Sequence, residues 1–186
     1  MKNNLPNWLT LGRMLAIPLL VAIFFMPIPF KSQNLLAMWL FIAAGVTDWV
    51  DGYLARKWGQ TTPFGAFLDP VADKLLVCTA LILLVQLGRI DVVIASIIVG
   101  REITVSALRE WMAQLGQSSN VAVNTLGKFK TAAQLCAIPM LLYFDHIWLI
   151  DFRTLGYGLL VIAAILTVWS MLYYLRRAWP YLKPQR

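Results

Sequence analysis

Charged residues are scarce in this sequence. Lys, Arg, Asp and Glu together make up 13% of its 186 residues, whereas soluble domains carry about 25%. Hydrophobic residues account for 60%, and the mean hydropathy is +0.69. A soluble domain of this size would expose much of this apolar surface to water, so the composition predicts a membrane protein. The length suits a single transmembrane domain over residues 1–186.

Cysteine and histidine are nearly absent as well. Cys78 and Cys136 both lie in apolar segments, which does not suggest a disulfide framework. His146 is the only histidine, so the sequence holds no Cys/His cluster of the kind that binds zinc. A polar residue in a connecting loop is the simplest interpretation of this histidine.

Six apolar segments are close to the ~20 residues that a helix needs to cross a bilayer. They cover approximately residues 9–30, 35–55, 71–88, 92–108, 131–150 and 155–175. Turn-forming residues separate them at 27–29, from 59 to 63 and from 116 to 120. We therefore expect an all-α, polytopic integral membrane protein with six transmembrane helices.

Basic residues predict the orientation in the membrane. The net charge of +7 comes from bases scattered between apolar segments, which favours anionic membrane lipids and phosphate-bearing substrates over nucleic acid as partners. With a cytoplasmic N-terminus, twelve of the 16 Lys and Arg residues lie at the inner side and only Lys31, Arg89 and Arg153 at the outer side. Arg101 falls within a span. Both termini are thus expected on the cytoplasmic side of a bacterial inner membrane.

Four aspartates stand at helical spacing around the connection between the second and third segments. Asp48 and Asp51 are three residues apart, and Asp69 and Asp73 are four apart. Such spacings place side chains on one face of a helix. The short connection makes the two helices antiparallel neighbours, so we expect the four carboxylates to converge at the cytoplasmic edge of the membrane.

Four carboxylates in a partly desolvated site repel one another unless cations neutralise them. Arg56 and Lys74 offset part of this charge, and one or two hard divalent cations such as Mg²⁺ do so better. Gly52 and Gly65 flank the carboxylates, and a residue without Cβ lets the backbone approach a ligand or a neighbouring helix closely. Both interpretations of the glycines stay open on spacing alone.

Eight residues of this region resemble a known family signature. They form the pattern Asp48-x2-Asp51-Gly52-x2-Ala55-Arg56-x8-Gly65-x3-Asp69-x3-Asp73. In each of these residues and in every spacing, the pattern resembles the signature of the CDP-alcohol phosphatidyltransferases. The resemblance implies a six-helix membrane fold, a homodimer, and an active site in a polar cavity at the cytoplasmic leaflet.

The resemblance also implies roles for these residues. The four aspartates would bind two Mg²⁺ or Mn²⁺ ions, Gly52, Arg56 and Gly65 would lie against the CDP group, and Asp73 would be the general base. In that family an acceptor hydroxyl attacks the phosphorus of CDP-diacylglycerol that bears the diacylglycerol, and CMP leaves. Divalent metal suits this reaction because it neutralises charge on the pyrophosphate.

Three flanking motifs bear on the acceptor alcohol. PNWLTLGR (6–13), REITVSALREWM (101–112) and GKFKT (127–131) resemble the phosphatidylglycerophosphate synthase branch, whose acceptor is sn-glycerol 3-phosphate. Basic residues fit such an acceptor, because they form charge-assisted hydrogen bonds with phosphate. The residues that we expect at the acceptor phosphate are Arg109, Lys128, Lys130 and Arg13.

Other interpretations compete with this one. Lys128 and Lys130 would also serve as headgroup anchors, Arg109 as a partner of Glu102, and Arg13 as a snorkelling residue. Inositol phosphate is an alternative acceptor, whereas the basic residues argue against serine. A cation transporter is disfavoured, because the acidic cluster lies at helix ends and the sequence has no internal repeat.

Overall fold

The structure is a computed structural model that describes residues 5–58, 63–116, 125–147 and 150–182. Side chains are described at positions 11–48, 50, 68–116, 129–146, 151–176, 178 and 179. The helices are α1 (Leu5–Ile23), α2 (Phe30–Trp58), α3 (Pro63–Gln86), α4 (Val92–Gln114), α5 (Thr125–Tyr143) and α6 (Phe152–Leu182). A short antiparallel pair, β1 (His146–Ile147) and β2 (Ile150–Asp151), connects α5 to α6.

The predicted all-α class is confirmed, while several helix ends differ from the predicted ones. Helix α1 ends at Ile23 rather than near residue 30, because prolines at 27 and 29 cannot continue a helix. Helix α3 begins at Pro63, well before residue 71, since proline suits the first helical position. Helix α5 ends at Tyr143, and the next residue, Phe144, has a left-handed φ of 54°.

Gly88 ends α3 and sets the turn to α4. Its φ is +66°, a left-handed conformation that glycine adopts without a steric penalty. The Gly88 N–H donates to the Val85 carbonyl at 3.0 Å, and the Arg89 N–H donates to the Leu84 carbonyl at 2.9 Å. This pair of bonds is a Schellman motif, which satisfies carbonyls that the end of a helix leaves without partners.

The main apolar core occupies one end of the bundle. It is built from the C-terminal halves of α1, α3 and α5 and the N-terminal halves of α2, α4 and α6. These halves meet because consecutive helices run in opposite directions. Its members include Leu20, Phe41, Leu84, Ile98 and Leu160, all buried. At the other end, a smaller apolar cluster of described side chains joins α4 and α6.

Arg89 closes the end that holds the main core. Its guanidinium Nη1 donates to the carbonyl oxygens of Leu141 and Leu142 at 2.8 and 2.6 Å, and Nη2 donates to Asn34 Oδ1 at 2.6 Å. The guanidinium also lies 4.6 Å from the centroid of the Phe144 ring. Burial lowers the pKa of Arg89 to about 10, so the side chain stays protonated at neutral pH. It therefore places a positive charge at the C-terminus of α5, where the helix dipole favours one.

Membrane crossing is clearest for α6. Among the described residues, Phe152–Arg176 is the one helical stretch long and apolar enough to span a bilayer, with a mean hydropathy of 2.1 over its most apolar part. The helices contain from 19 to 31 residues, which corresponds to about 28–46 Å at 1.5 Å per residue. The lengths suit a bilayer, but ionisable residues lower the hydropathy of other helices. Six transmembrane helices thus stay a prediction.

Candidate functional site

Arg13 joins two aspartates from different helices. Its Nη1 lies 2.8 Å from Asp48 Oδ1 and 2.6 Å from Asp73 Oδ1. The Arg13 side chain is completely buried, whereas the carboxyl side chains are 42% and 45% exposed. The guanidinium thus supports the site from within the protein, and the carboxylates face outward, where a ligand can reach them.

Asp69 extends this acidic site along α3. It stands one helical turn before Asp73 and is half-buried, and its charge acts on Asp73. Asp69 therefore adds a third carboxyl group to the same acidic site.

Several expected site residues lie outside the described side chains. Asp51, Gly52 and Arg56 belong to α2, Gly65 belongs to α3 and Lys128 belongs to α5. Among the side chains that are described, no group of three acidic, Cys or His residues is close enough to hold a metal ion. Asp51, the fourth member of the aspartate set, is not among those side chains.

The donors that are described fit a hard divalent cation. Asp48 and Asp73 present carboxylate oxygens from α2 and α3 at one place, and hard cations such as Mg²⁺ prefer oxygen ligands.

A second polar site lies between α4, α5 and α6, and we call Arg101, Glu102, Arg109 and Lys130 the basic cluster. Lys130 is 1% exposed, and its ammonium contacts the Glu102 carboxylate. Arg101 Nη1 lies 3.1 Å from Glu102 Oε1, and its Nη2 donates to Ser170 Oγ at 3.4 Å. One carboxylate on α4 thereby links two basic side chains.

Arg109 belongs to the same cluster but packs on α6. Its Nη2 donates to the Tyr174 hydroxyl at 3.4 Å, and its guanidinium lies 5.4 Å from the centroid of that ring. The described contacts of Glu102 are with Arg101 and Lys130. They do not support the alternative in which Arg109 is mainly the partner of Glu102. The charges of Arg101 and Arg109 both act on Lys130.

The basic cluster and its surroundings contain buried donors that have no acceptor within the described part of the chain. They are Arg101 Nε, Arg109 Nε and Gln134 Nε2, together with the Thr167 hydroxyl. A buried donor without a partner costs about 1–3 kcal/mol. These groups therefore suit a ligand or water that supplies acceptor oxygens.

The structure separates the four expected acceptor residues into two places. Arg13 lies with the aspartates, Arg109 and Lys130 lie in the basic cluster, and Lys128 lies outside the described side chains. Helix α3, which carries Asp69 and Asp73, packs against α4, which carries Glu102 and Arg109.

Sequence reasoning missed the contribution of α6. Thr167, Ser170 and Tyr174 are buried and face the basic cluster or its neighbours. They stand three and four residues apart in an otherwise apolar helix. This polar stripe at helical spacing is a signal that would have pointed to them.

Comparisons with known proteins extend over nearly the whole chain. A family model described as CDP-alcohol phosphatidyltransferase matches residues 3–169. A CDP-diacylglycerol–glycerol-3-phosphate 3-phosphatidyltransferase of Haemophilus influenzae is 49% identical over 180 residues, which cover 96% of this chain and 95% of that protein. Proteins of the same name from Salmonella choleraesuis and Escherichia coli K12 are each 47% identical, with 96% of both chains covered.

Proposed function

The chain belongs to the CDP-alcohol phosphatidyltransferase family, and from this premise we propose that it transfers a phosphatidyl group from CDP-diacylglycerol to sn-glycerol 3-phosphate. The products are phosphatidylglycerol phosphate and CMP. The observation that carries the choice of acceptor is the near full-length identity to relatives whose names state this reaction. The two polar sites, the aspartates with Arg13 and the basic cluster, support the proposal.

The aspartates are the proposed metal ligands. Asp48, Asp51, Asp69 and Asp73 would hold divalent metal, two Mg²⁺ or Mn²⁺ ions, and the described carboxylate donors support this assignment. When bound, the metal would neutralise charge on the pyrophosphate and on the leaving CMP. Arg13 fixes one oxygen of Asp48 and one of Asp73, which holds both carboxylates in a constant orientation.

Asp73 is the proposed general base. Arg13 engages its Oδ1, and we assign Oδ2 as the atom that takes the proton from the acceptor hydroxyl. The oxygen of that hydroxyl then forms the new bond to phosphorus as the bond to the CMP oxygen breaks. Gly52, Arg56 and Gly65 are proposed to contact the CDP group, on the strength of the family signature.

The basic cluster is the proposed binding site for the acceptor phosphate. Arg109 and Lys130 belong to it, and Lys128 precedes Lys130 by two residues at the start of α5. The unpartnered nitrogens of Arg101 and Arg109 support this assignment, because a phosphate supplies acceptor oxygens. For Arg13, the contacts support a role at the aspartates.

The membrane placement is part of the proposal. Six helices would cross the bacterial inner membrane with both termini and the site at the cytoplasmic side, and the protein would act as a homodimer beside anionic lipids. Large apolar side chains on the outer surface support this, among them Leu15, Phe25, Trp39, Ile103 and Trp169, each more than half exposed.

The test is CMP release by detergent-purified protein supplied with CDP-diacylglycerol, Mg²⁺ and one acceptor at a time. We expect release with glycerol 3-phosphate, and none with inositol phosphate or serine. A chelator should abolish it. Asp73→Asn should lower the rate by at least about 100-fold, the usual contribution of a general base. Asp91→Asn, in the turn before α4 and hydrogen-bonded to Tyr157, is the matched control and should retain activity.

The outcomes separate the parts of the proposal. Release with inositol phosphate instead would overturn the acceptor but keep the chemistry. Absence of release with every acceptor, from protein shown to be folded, would overturn phosphatidyl transfer itself.

A further inference from the structure

Glu102 is the one acidic member of the basic cluster, and the reaction as proposed assigns it no role. Its side chain is 19% exposed and contacts Lys130 from α5 and Arg101 from its own helix. Arg101 in turn reaches Ser170 on α6. Glu102 therefore joins α4 to α5, and its neighbour Arg101 joins α4 to α6, at the point where the cationic side chains gather.

We propose that Glu102 is a positioning residue for the acceptor phosphate: it holds Lys130 and Arg101 so that their remaining donors face the bound phosphate. This inference rests on the proposed function, because it deepens the assignment of the basic cluster. It concerns the acceptor only and leaves the binding of CDP-diacylglycerol to other residues.

The charges of the cluster match a phosphate monoester. Arg101, Arg109 and Lys130 are positive and Glu102 is negative, which gives a net charge of +2. A phosphate monoester carries a charge of about −1.5 to −2 at neutral pH. Arg101 and Lys130 are buried and Arg109 is partly buried. Without an anion these three cations would repel one another, so Glu102 lowers the repulsion in the empty cluster and leaves enough positive charge for the ligand.

The hydrogen-bond donors of the cluster are likewise shared between Glu102 and a ligand. Glu102 occupies Nη1 of Arg101 and the Lys130 ammonium, while the Nε atoms of Arg101 and Arg109 have no acceptor among the described residues. An ammonium has three protons, so one contact with Glu102 leaves others for a ligand. Glu102 thus orients the cations without using all of their donors.

Loss of the carboxylate should disable Lys130 in particular. This lysine is 1% exposed, so without Glu102 its ammonium would be an uncompensated buried charge. Such a group turns away or gives up its charge. The cluster would then lose one oriented cation together with its only anion.

The experiment measures binding and turnover in parallel. Calorimetry on the full-length protein in detergent gives the affinities for glycerol 3-phosphate, inorganic phosphate and CMP. We expect Glu102→Gln to weaken the binding of both phosphates by about tenfold or more, the loss of one charge-assisted hydrogen bond, and to leave the affinity for CMP unchanged. In turnover, KM for glycerol 3-phosphate should rise while KM for CDP-diacylglycerol stays constant.

Two further variants distinguish positioning from a structural role. Glu110→Gln removes the same charge from an exposed position of α4 and should bind both phosphates like the wild type. Lys130→Met should weaken phosphate binding, and in the double variant Glu102→Gln, Lys130→Met the two losses should be less than additive, because Glu102 acts in part through Lys130.

The results that would overturn the inference are specific. Unchanged phosphate affinity in Glu102→Gln, or additive losses in the double variant, would show that Glu102 does not position Lys130. Equal losses for CMP and phosphate would show a structural role. A wild-type protein that releases CMP with glycerol 3-phosphate despite these results would keep the proposed function and remove only the role of Glu102.

Discussion

Two buried arginines serve different purposes in this chain. Arg13 and Arg89 are 2% and 5% exposed, so each charge needs partners within the protein. Arg89 donates to neutral groups, two carbonyls and an amide oxygen, and stabilises the fold. Arg13 contacts two carboxylates that are themselves partly exposed. The partners, rather than the burial, indicate which arginine serves the site.

Arg89→Met should destabilise the protein without a direct effect on catalysis. The change leaves two carbonyls and the Asn34 amide oxygen without their donor, at a cost of at least about 2 kcal/mol. The unfolding temperature should then fall by about 5 °C or more. Arg153→Met is the control, because Arg153 stacks on the same Phe144 ring, at 5.0 Å, but is exposed. Similar unfolding temperatures for the two variants would contradict this account.

Arg13 should tolerate lysine better than glutamine. Both aspartate contacts use the same nitrogen, Nη1, so an ammonium can replace it, whereas an uncharged amide cannot. We expect Arg13→Gln to lower the rate of CMP release by at least about 100-fold, equivalent to two charge-assisted hydrogen bonds, and Arg13→Lys to retain a larger share. Equal losses in two folded variants would mean that guanidinium geometry matters more than charge.

Residue patterns in the sequence predicted where the site residues lie on their helices better than they predicted which side chains those residues contact. The spacing of Asp69 and Asp73 on one helix follows from the sequence, and the structure also brings Asp48 to Asp73. The contact of Arg13 with both carboxylates did not follow, because it joins residues 60 positions apart through tertiary packing. The pairing of Glu102 with Lys130 is 28 positions apart and was missed for the same reason.

Helices α5 and α6 pack closely where Gly156 faces α5. A Cβ at position 156 would lie 3.0 Å from Leu141 Cγ, 3.0 Å from Met140 Cβ and 3.2 Å from the Ala137 carbonyl oxygen. The carbonyl belongs to the backbone, so it cannot move aside by a rotamer change. Small residues at such points let helices approach, as is common in membrane bundles.

Gly156→Ala should therefore weaken the packing of α5 and α6. We expect a loss of about 1–3 kcal/mol, the usual cost of overpacking. Gly158→Ala is the matched control two residues away, where a Cβ would meet nothing within 4 Å. That substitution should be neutral or stabilise the helix by up to about 1 kcal/mol. Thermal unfolding of both variants in detergent checks the contrast, and equal midpoints would contradict the close approach.

Helix ends were less predictable than helix number. Apolar runs placed the C-terminal ends of α1 and α5 too late in the chain, because hydrophobicity continues past Ile23 and Tyr143, and both helices begin before the apolar runs do. Polar residues hid the true lengths of α2 and α3, which extend beyond the apolar runs at the end that carries the aspartates. Hydropathy measures where lipid is tolerated, whereas helix ends depend on local hydrogen bonds.

At the scale of the whole molecule, the main apolar core and the two polar sites between the helices lie at opposite ends. The core and Arg89 lie at one end, and the aspartates and the basic cluster lie toward the other. Consecutive helices run in opposite directions, so the C-terminal half of one helix lies beside the N-terminal half of the next. This arrangement therefore follows from the sequence if the charged residues lie in helix halves that meet at the same end. The surface of the proposed homodimer did not follow from any pattern, since such a surface depends on a second copy.

Cysteine labelling tests the orientation. In a chain with Cys78 and Cys136 replaced by serine, Lys31→Cys and Arg153→Cys should react with a membrane-impermeant maleimide in intact spheroplasts. Arg176→Cys should react only after permeabilisation. All three positions are exposed, so access to the reagent depends on the side of the membrane. Labelling of Arg176→Cys in intact spheroplasts would reverse the orientation that the positive-inside rule predicts.

The hydrogen bonds of Arg89 also determine how the bundle can move. They fasten the turn after α3 to α2 and to the C-terminus of α5, so these elements separate there only if three buried bonds break. The opposite end is joined by ion pairs whose carboxylates are partly open to solvent. We therefore expect any helix motion during turnover to be smallest at the Arg89 end, which would act as a hinge, and to grow toward the aspartates. Backbone amides beside the hinge should be the last to exchange with deuterium.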